Sequence, residues 1–168
     1  MSDTTDVGPL VNANALEKID SQVKEAVREG AEVFVGGQQT GRGYFYKPTV
    51  LGNVNPKMSI AQEEVFGPVA PIIVADDETE AIELANDSEY GLGASIWTRD
   101  LDKAERFSNN LESGIVSVNN VVVSDPRVPL EELRRVVLVE LSRYGMIEFV
   151  NIKSVRFYDQ LIHNHHVE

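Results

Sequence analysis

Stretches in which apolar residues recur at helical spacing alternate along this chain with short apolar runs typical of strands. The first such stretch covers residues 12–29, and Gly30 follows it as a C-cap. Its apolar face is formed by Leu16, Ile19, Val23 and Val27. Strands that alternate with helices pack in layers and tend to pair in parallel. We therefore expect an α/β fold with a layered, largely parallel sheet and flanking helices.

The other elements are predicted from the same patterns. Predicted strands cover residues 32–35, 44–51, 69–75, 90–98 and 115–118, and residues 147–158 are predicted to be extended. The first two strands form a hairpin across a glycine-rich turn, and residues 69–75 read as a buried strand. One helix is predicted to begin after Asp77 and to end near Asn86. A second is predicted to begin after Asp100 and to end near Gly114. The inner face of the second is predicted to contain Leu101, Ala104, Phe107 and Leu111.

Composition limits the partners that this chain can have. Its 168 residues are 42% hydrophobic, which predicts one folded domain over residues 1–158 and a flexible tail over residues 159–168. The formal charge of −12 is spread without a basic cluster, so neither nucleic acid nor an anionic membrane is an expected partner. No apolar run is long enough to span a membrane, and the first residues lack the pattern of a signal peptide. We expect a cytoplasmic protein.

The chain contains no cysteine, which excludes disulfides and thiolate metal sites. His163, His165 and His166 near the C-terminus could in principle hold a metal ion, but no carboxylate or thiolate partner is fixed near them. A solvated chain end explains them better, and no metal is expected.

Five strings occur in order along the chain: residues 6–10 (DVGPL), 43–50 (GYFYKPTV), 62–69 (QEEVFGPV), 86–93 (NDSEYGLG) and 114–119 (GIVSVN). Together they resemble landmarks in the C-terminal part of the catalytic domain of the NAD(P)-dependent aldehyde dehydrogenase superfamily. Residues 122–129 and 140–145 look most like the succinate-semialdehyde dehydrogenase branch. In complete members the dinucleotide-binding domain, the nucleophilic cysteine and the glutamate base precede this segment. The resemblance therefore implies a truncated, family-related chain.

The resemblance also implies roles for two residues of the third string. In complete members the second glutamate contacts the nicotinamide ribose and the aromatic two positions later packs near the nicotinamide. These residues correspond here to Glu64 and Phe66, as a vestigial cofactor-binding pair. Without the family, Glu64 reads as a solvated loop acid and Phe66 as a core anchor. We expect no catalytic residue and no bound cofactor in this chain, whereas complete relatives use NAD or NADP.

The family pattern breaks after Pro129, where the expected phenylalanine and glycine pair are absent. Residues 128–141 instead predict a remodelled amphipathic helix, with Leu130, Leu133, Val137 and Leu141 on one face. This face must be buried against the body of the protein or against a second copy. In complete relatives the strand that matches residues 153–158 extends a neighbouring subunit's sheet, so Val155 and Phe157 are expected oligomer contacts as well.

Three functions remain open at this point. The first is an inactive, self-associating remnant of a semialdehyde dehydrogenase, because the family reaction needs a cysteine thiolate. The second is the C-terminal half of a split dehydrogenase that is completed by a partner chain, although the break after Pro129 argues against it. The third is an interaction module that binds an intact relative.

Overall fold

The computed structural model describes residues 5–123 and 153–158. The described helices are α1 (Ala13–Glu29), α2 (Ser59–Gln62), α3 (Glu78–Asn86) and α4 (Leu101–Asn110). The described strands are β1 (Glu32–Val35), β2 (Thr49–Gly52), β3 (Val69–Pro71), β4 (Gly93–Ile96), β5 (Ile115–Val118) and β6 (Ser154–Phe157). The chain divides into two compact units between Asp76 and Asp77. No described helix is long and apolar enough to cross a membrane.

The mixed α/β fold is confirmed, but the described strands form two sheets. The first unit contains a three-stranded sheet in the order β1-β2-β3, in which β1 runs antiparallel to β2 and β3 runs parallel to it. The second contains a parallel sheet in the order β4-β5-β6. The prediction of one domain over residues 1–158 stays a prediction. Segments 128–141 and 159–168 lie outside the described residues.

Helix α1 organises the first unit. Its ends lie where the sequence predicts them, because Asn12 Oδ1 accepts from the Ala15 N–H at 2.9 Å and Gly30 takes a left-handed φ of 115°. The buried face of α1 packs in one core with Leu51 of β2, Ile60 of α2 and Tyr46. From α1 that core contains Leu16, Ile19, Val23 and Ala26. The apolar stripe of α1 therefore joins the sheet and α2 through a common core.

Two predicted strands of the first unit are too long. The prediction for residues 44–51 fails at its start: Tyr46 makes only an isolated bridge with Gln39, and β2 begins after Pro48. The prediction of a continuous buried strand over residues 69–75 is also wrong. β3 ends at Pro71, and Ile72 and Val74 are exposed whereas Val69 and Ile73 pack against the core. Proline lacks the N–H that a sheet ladder needs at both of these boundaries.

The second unit is built around β5, which is buried along its whole length. Helix α4 shares a core with β4 and β5 that contains Ile96, Ala104, Leu111, Val116 and Val118. The sequence predicts Leu101 on the inner face of α4, but its side chain is 61% exposed. It directly follows the N-cap Asp100, and the buried face of the helix begins one turn later at Ala104. The helix ends at Asn110 with Leu111 as its C-cap, so Gly114 does not close it.

Strand β6 is anchored at its start by a lysine that the sequence patterns do not single out. The Lys153 ammonium donates to the carbonyl oxygens of Ser108, at 2.9 Å, and of Leu111, at the C-terminal end of α4. A cation at this end of a helix satisfies carbonyls that have no partner within the helix and complements the helix dipole. Burial lowers the pKa of Lys153, and the charge of Glu112 opposes that shift.

Tyr46 is expected to show a pH dependence of its own. Its side chain is 3% exposed, and burial together with the negative charge of Asp20 raises its pKa to about 12. The folded state favours the protonated phenol. The contribution of Tyr46 to the stability of the folded state is therefore complete below pH ~10, the usual tyrosine pKa, and is lost as the pH rises towards the pKa in the folded state. In an ultraviolet titration of the phenols Tyr46 should ionise last, and Tyr46→Phe should remove that step. The exposed control Tyr44→Phe should leave it in place; a late step that survives Tyr46→Phe contradicts this assignment.

Candidate functional site

The candidate site is the loop of residues 63–68, which joins α2 to β3. Glu63 follows the last residue of α2 and donates its N–H to the Ser59 carbonyl at 2.9 Å. At the other end, the Pro68 carbonyl accepts from the Thr49 N–H at 2.8 Å, immediately before Val69 starts β3. Both ends of the loop are therefore fixed by backbone hydrogen bonds.

Inside the loop, side chains alternate between the core and solvent. Val65 packs against the first core, whereas Glu64 is exposed and Phe66 is 72% exposed. Such alternation is typical of extended backbone, in which successive side chains point to opposite sides. The interpretation of Phe66 as a core anchor is therefore wrong. Glu64 and Phe66 lie on the outward side of the loop together.

A carboxylate and an exposed ring on one side of a loop suit one part of a dinucleotide. A carboxylate accepts hydrogen bonds from two neighbouring hydroxyls of a ribose, and a ring offers a flat apolar surface to a nicotinamide. These two residues fit the nicotinamide ribose and its base, but they offer nothing for the phosphates.

The glycine-rich turn does not supply a phosphate site either. Gly36, Gly37, Gly41 and Gly43 all have positive φ, and they lie between β1 and β2. The Gly37 N–H donates to Oγ1 of Thr49, the first residue of β2, at 2.9 Å. A phosphate-binding loop runs from a strand into the N-terminus of a helix, which this connection does not do. The prediction of a hairpin turn for these glycines is confirmed.

Two of the six predicted oligomer contacts can be located. Val155 and Phe157 of β6 pair with Val116 and Val118 of β5, so they share the sheet face that α4 covers. They lie at the edge of that face, and Phe157 is 49% exposed. The other predicted contacts lie outside the described residues: Leu130, Leu133, Val137 and Leu141.

A metal site is not found in the described part of the chain. No three or more histidine, aspartate and glutamate side chains of residues 5–123 and 153–158 are grouped so that they could hold an ion. The three histidines considered from the sequence lie beyond these ranges.

Sequence reasoning missed a polar side chain beneath the loop. Gln22 of α1 is 8% exposed, and its Nε2 donates to Glu63 Oε2 at 3.1 Å. In the sequence it lies next to Val23 and three residues after Ile19, on the buried face. A polar residue within an apolar helical face is the one signal that could have identified it.

Comparison with known proteins agrees with the family resemblance of the five sequence strings. The profile of the Aldehyde dehydrogenase family matches residues 1–155. The succinate semialdehyde dehydrogenase [NAD(P)+] Sad of Escherichia coli is 41% identical over 151 residues, which are 89% of this chain and 33% of that protein. The mitochondrial succinate-semialdehyde dehydrogenase of Oryza sativa is 38% identical over 157 residues, 92% of this chain and 30% of that protein.

Solved structures of aldehyde dehydrogenases also align with this chain. A succinate-semialdehyde dehydrogenase from Burkholderia pseudomallei aligns with a TM-score of 0.75 and 36% identity over 79% of this chain and 28% of that one. An NAD-dependent aldehyde dehydrogenase from Sinorhizobium meliloti aligns with a TM-score of 0.82 and 36% identity over 86% of this chain and 29% of that one. The chain spans about a third of the length of the curated relatives it matches. It belongs to the aldehyde dehydrogenase family.

Proposed function

We propose that this chain represents the C-terminal part of a succinate-semialdehyde dehydrogenase-like catalytic domain and that, as a separate polypeptide, it catalyses no aldehyde oxidation. The observation that carries this proposal is the absence of cysteine from all 168 residues of a family member. A thiolate is intrinsically nucleophilic and partly populated at neutral pH, whereas serine and threonine hydroxyls need a positioned base to react.

The residues of the candidate site support the same proposal. Glu64 and Phe66 can bind and orient the ribose and nicotinamide of NAD(P), which would accept a hydride from the substrate when bound. The described loop pairs neither residue with a nucleophile and an orienting group, as covalent catalysis requires. Two exposed side chains bind a dinucleotide weakly when, as in the described residues, no phosphate site accompanies them. We therefore expect a vestigial pair and no tight NAD or NADP binding by the chain alone.

A second candidate is a chain that works only with a dehydrogenase partner. Several large apolar side chains of the first unit are exposed, among them Phe34 and Val35 of β1 and Ile72 and Val74 after β3. Exposed apolar side chains can be buried by contact with another polypeptide. In this case a partner chain supplies the nucleophile, and co-expression with that chain should produce cofactor reduction.

Catalytic inactivity is tested with the purified 168-residue chain. With succinate semialdehyde and either NAD or NADP, we expect no aldehyde-dependent formation of reduced cofactor above the buffer rate, because no thiolate is present to form the thioester. A complete relative, such as the enzyme of Escherichia coli, serves as the positive control. Saturable turnover that co-purifies with the chain through two separate columns contradicts the proposal.

We also propose that the chain associates with itself. Strand β6 is the last of the described strands in the order β4-β5-β6. Its residues Val155 and Phe157 present exposed apolar surface. A second copy of the chain can cover this surface, because a two-fold symmetric contact uses the same patch on both copies.

The proposed contact is tested by light scattering coupled to size exclusion. We expect the wild-type chain to have a mass above the 18.6 kDa of one copy. Val155→Lys combined with Phe157→Lys should shift that mass towards one copy, because two cations on this surface oppose its burial against a second copy. Leu101→Lys, on an exposed position of α4, is the matched control and should not shift it. A wild-type chain that is monomeric at all concentrations contradicts self-association.

A further inference from the structure

The loop of residues 63–67 lies on α1 through alternate residues. Glu63 accepts a hydrogen bond from Gln22, Val65 packs against the first core, and Gly67 lies against Ile19. The two residues between them, Glu64 and Phe66, face outward. Helix α1 therefore contacts the loop on both sides of the outward pair, at Glu63 and at Gly67.

The contact at Gly67 is close enough to exclude a side chain. A Cβ built on Gly67 would lie 2.8 Å from both Cδ1 and Cγ1 of Ile19. Carbon atoms that are not bonded prefer separations of about 3.5–4.0 Å. The loop backbone consequently lies directly on the surface of α1.

The contact at Gln22 is polar, although its surroundings are apolar. Gln22 is 8% exposed, and the other buried residues of α1 are Leu16, Ile19, Val23 and Ala26. Its Nε2 donates to Glu63 Oε2 at 3.1 Å, but its Oε1 has no hydrogen-bond partner in the described parts of the chain. A buried amide that is only half satisfied is a poor choice for stability, and an apolar side chain of similar size would serve the core better.

We propose that Gln22 is a positioning residue, which through Glu63 orients the loop so that Glu64 and Phe66 face outward as a pair. The hydrogen bond is formed with a carboxylate, which makes it stronger and more directional than one between neutral groups. It fixes the loop at residue 63, while Ile19 fixes it at Gly67. The two fixed points flank the outward pair.

Such positioning matters because the pair contacts its ligand from a loop. Ordering a loop when a ligand binds reduces the affinity, and a loop that is ordered beforehand avoids that loss. The assignment of Glu64 and Phe66 to a cofactor rests on the proposed function. The orientation of the loop by Gln22 does not, so the two can fail separately.

The test measures loop order at position 66 in the full chain, without cofactor or aldehyde. Trp97 is the chain's single tryptophan, so Trp97→Phe with Phe66→Trp leaves one tryptophan, in the loop, which is excited selectively over the five tyrosines. In this background Gln22→Leu keeps the apolar packing of α1 but removes the hydrogen bond. We expect the residual anisotropy of the loop fluorophore to fall about two-fold, with an unchanged or higher melting temperature, because the loop gains motion on the nanosecond scale.

Exchanging the amide and the carboxylate between positions 22 and 63 should restore the order of the loop. Gln22→Glu places two carboxylates together and should lower the anisotropy as Gln22→Leu does. Adding Glu63→Gln exchanges the donor and the acceptor and should restore the anisotropy of the reference protein. Ser21→Ala, at the exposed neighbouring position, is the control and should change nothing.

Two results overturn the proposal. The first is an unchanged anisotropy in Gln22→Leu, which means that the hydrogen bond does not order the loop. The second is a double exchange that leaves the anisotropy low, which means that Gln22 acts through packing alone. Neither result bears on whether the chain oxidises aldehydes.

Discussion

The burial of the apolar stripe of α1 is the interaction on which the first unit depends. Ile19, Val23 and Ala26 of that stripe are almost completely buried and share a core with Leu51 of β2. Each large apolar side chain buried in this way contributes roughly 1.5–3 kcal/mol. The same helix carries Gln22, which contacts the loop of the candidate site. Folding of this unit and the orientation of its loop therefore depend on one helix.

The residues that hold the candidate loop differ from the residue that the family reaction needs as its nucleophile. The loop with Glu64 and Phe66 is held by contacts within the first 76 residues of the chain. Covalent catalysis, in contrast, depends on a single sulfur atom that this sequence does not contain. The contacts that hold this loop are accordingly independent of any nucleophile.

Local signals predicted the helices better than the strands. The bounds of α1 follow from Asn12 and Gly30, and α3 begins directly after its N-cap Asp77, because caps act on the nearest turn. Strand lengths depend on partners distant in sequence and on prolines, so β2 and β3 are shorter than predicted. The motif located Glu64 and Phe66, but Gln22 could not be assigned from sequence, since its partner Glu63 lies 41 residues away.

The central claim is that α1, its core and the loop above it persist in this chain by themselves. Hydrogen exchange of the backbone amides, measured by NMR on the isolated chain, tests it most directly. The account predicts that the amides of Val23 and Ala26 exchange together with those of β2, on the order of a thousandfold slower than in an unstructured peptide. Exchange of the α1 amides at the rates of a free peptide, or independently of β2, would contradict it.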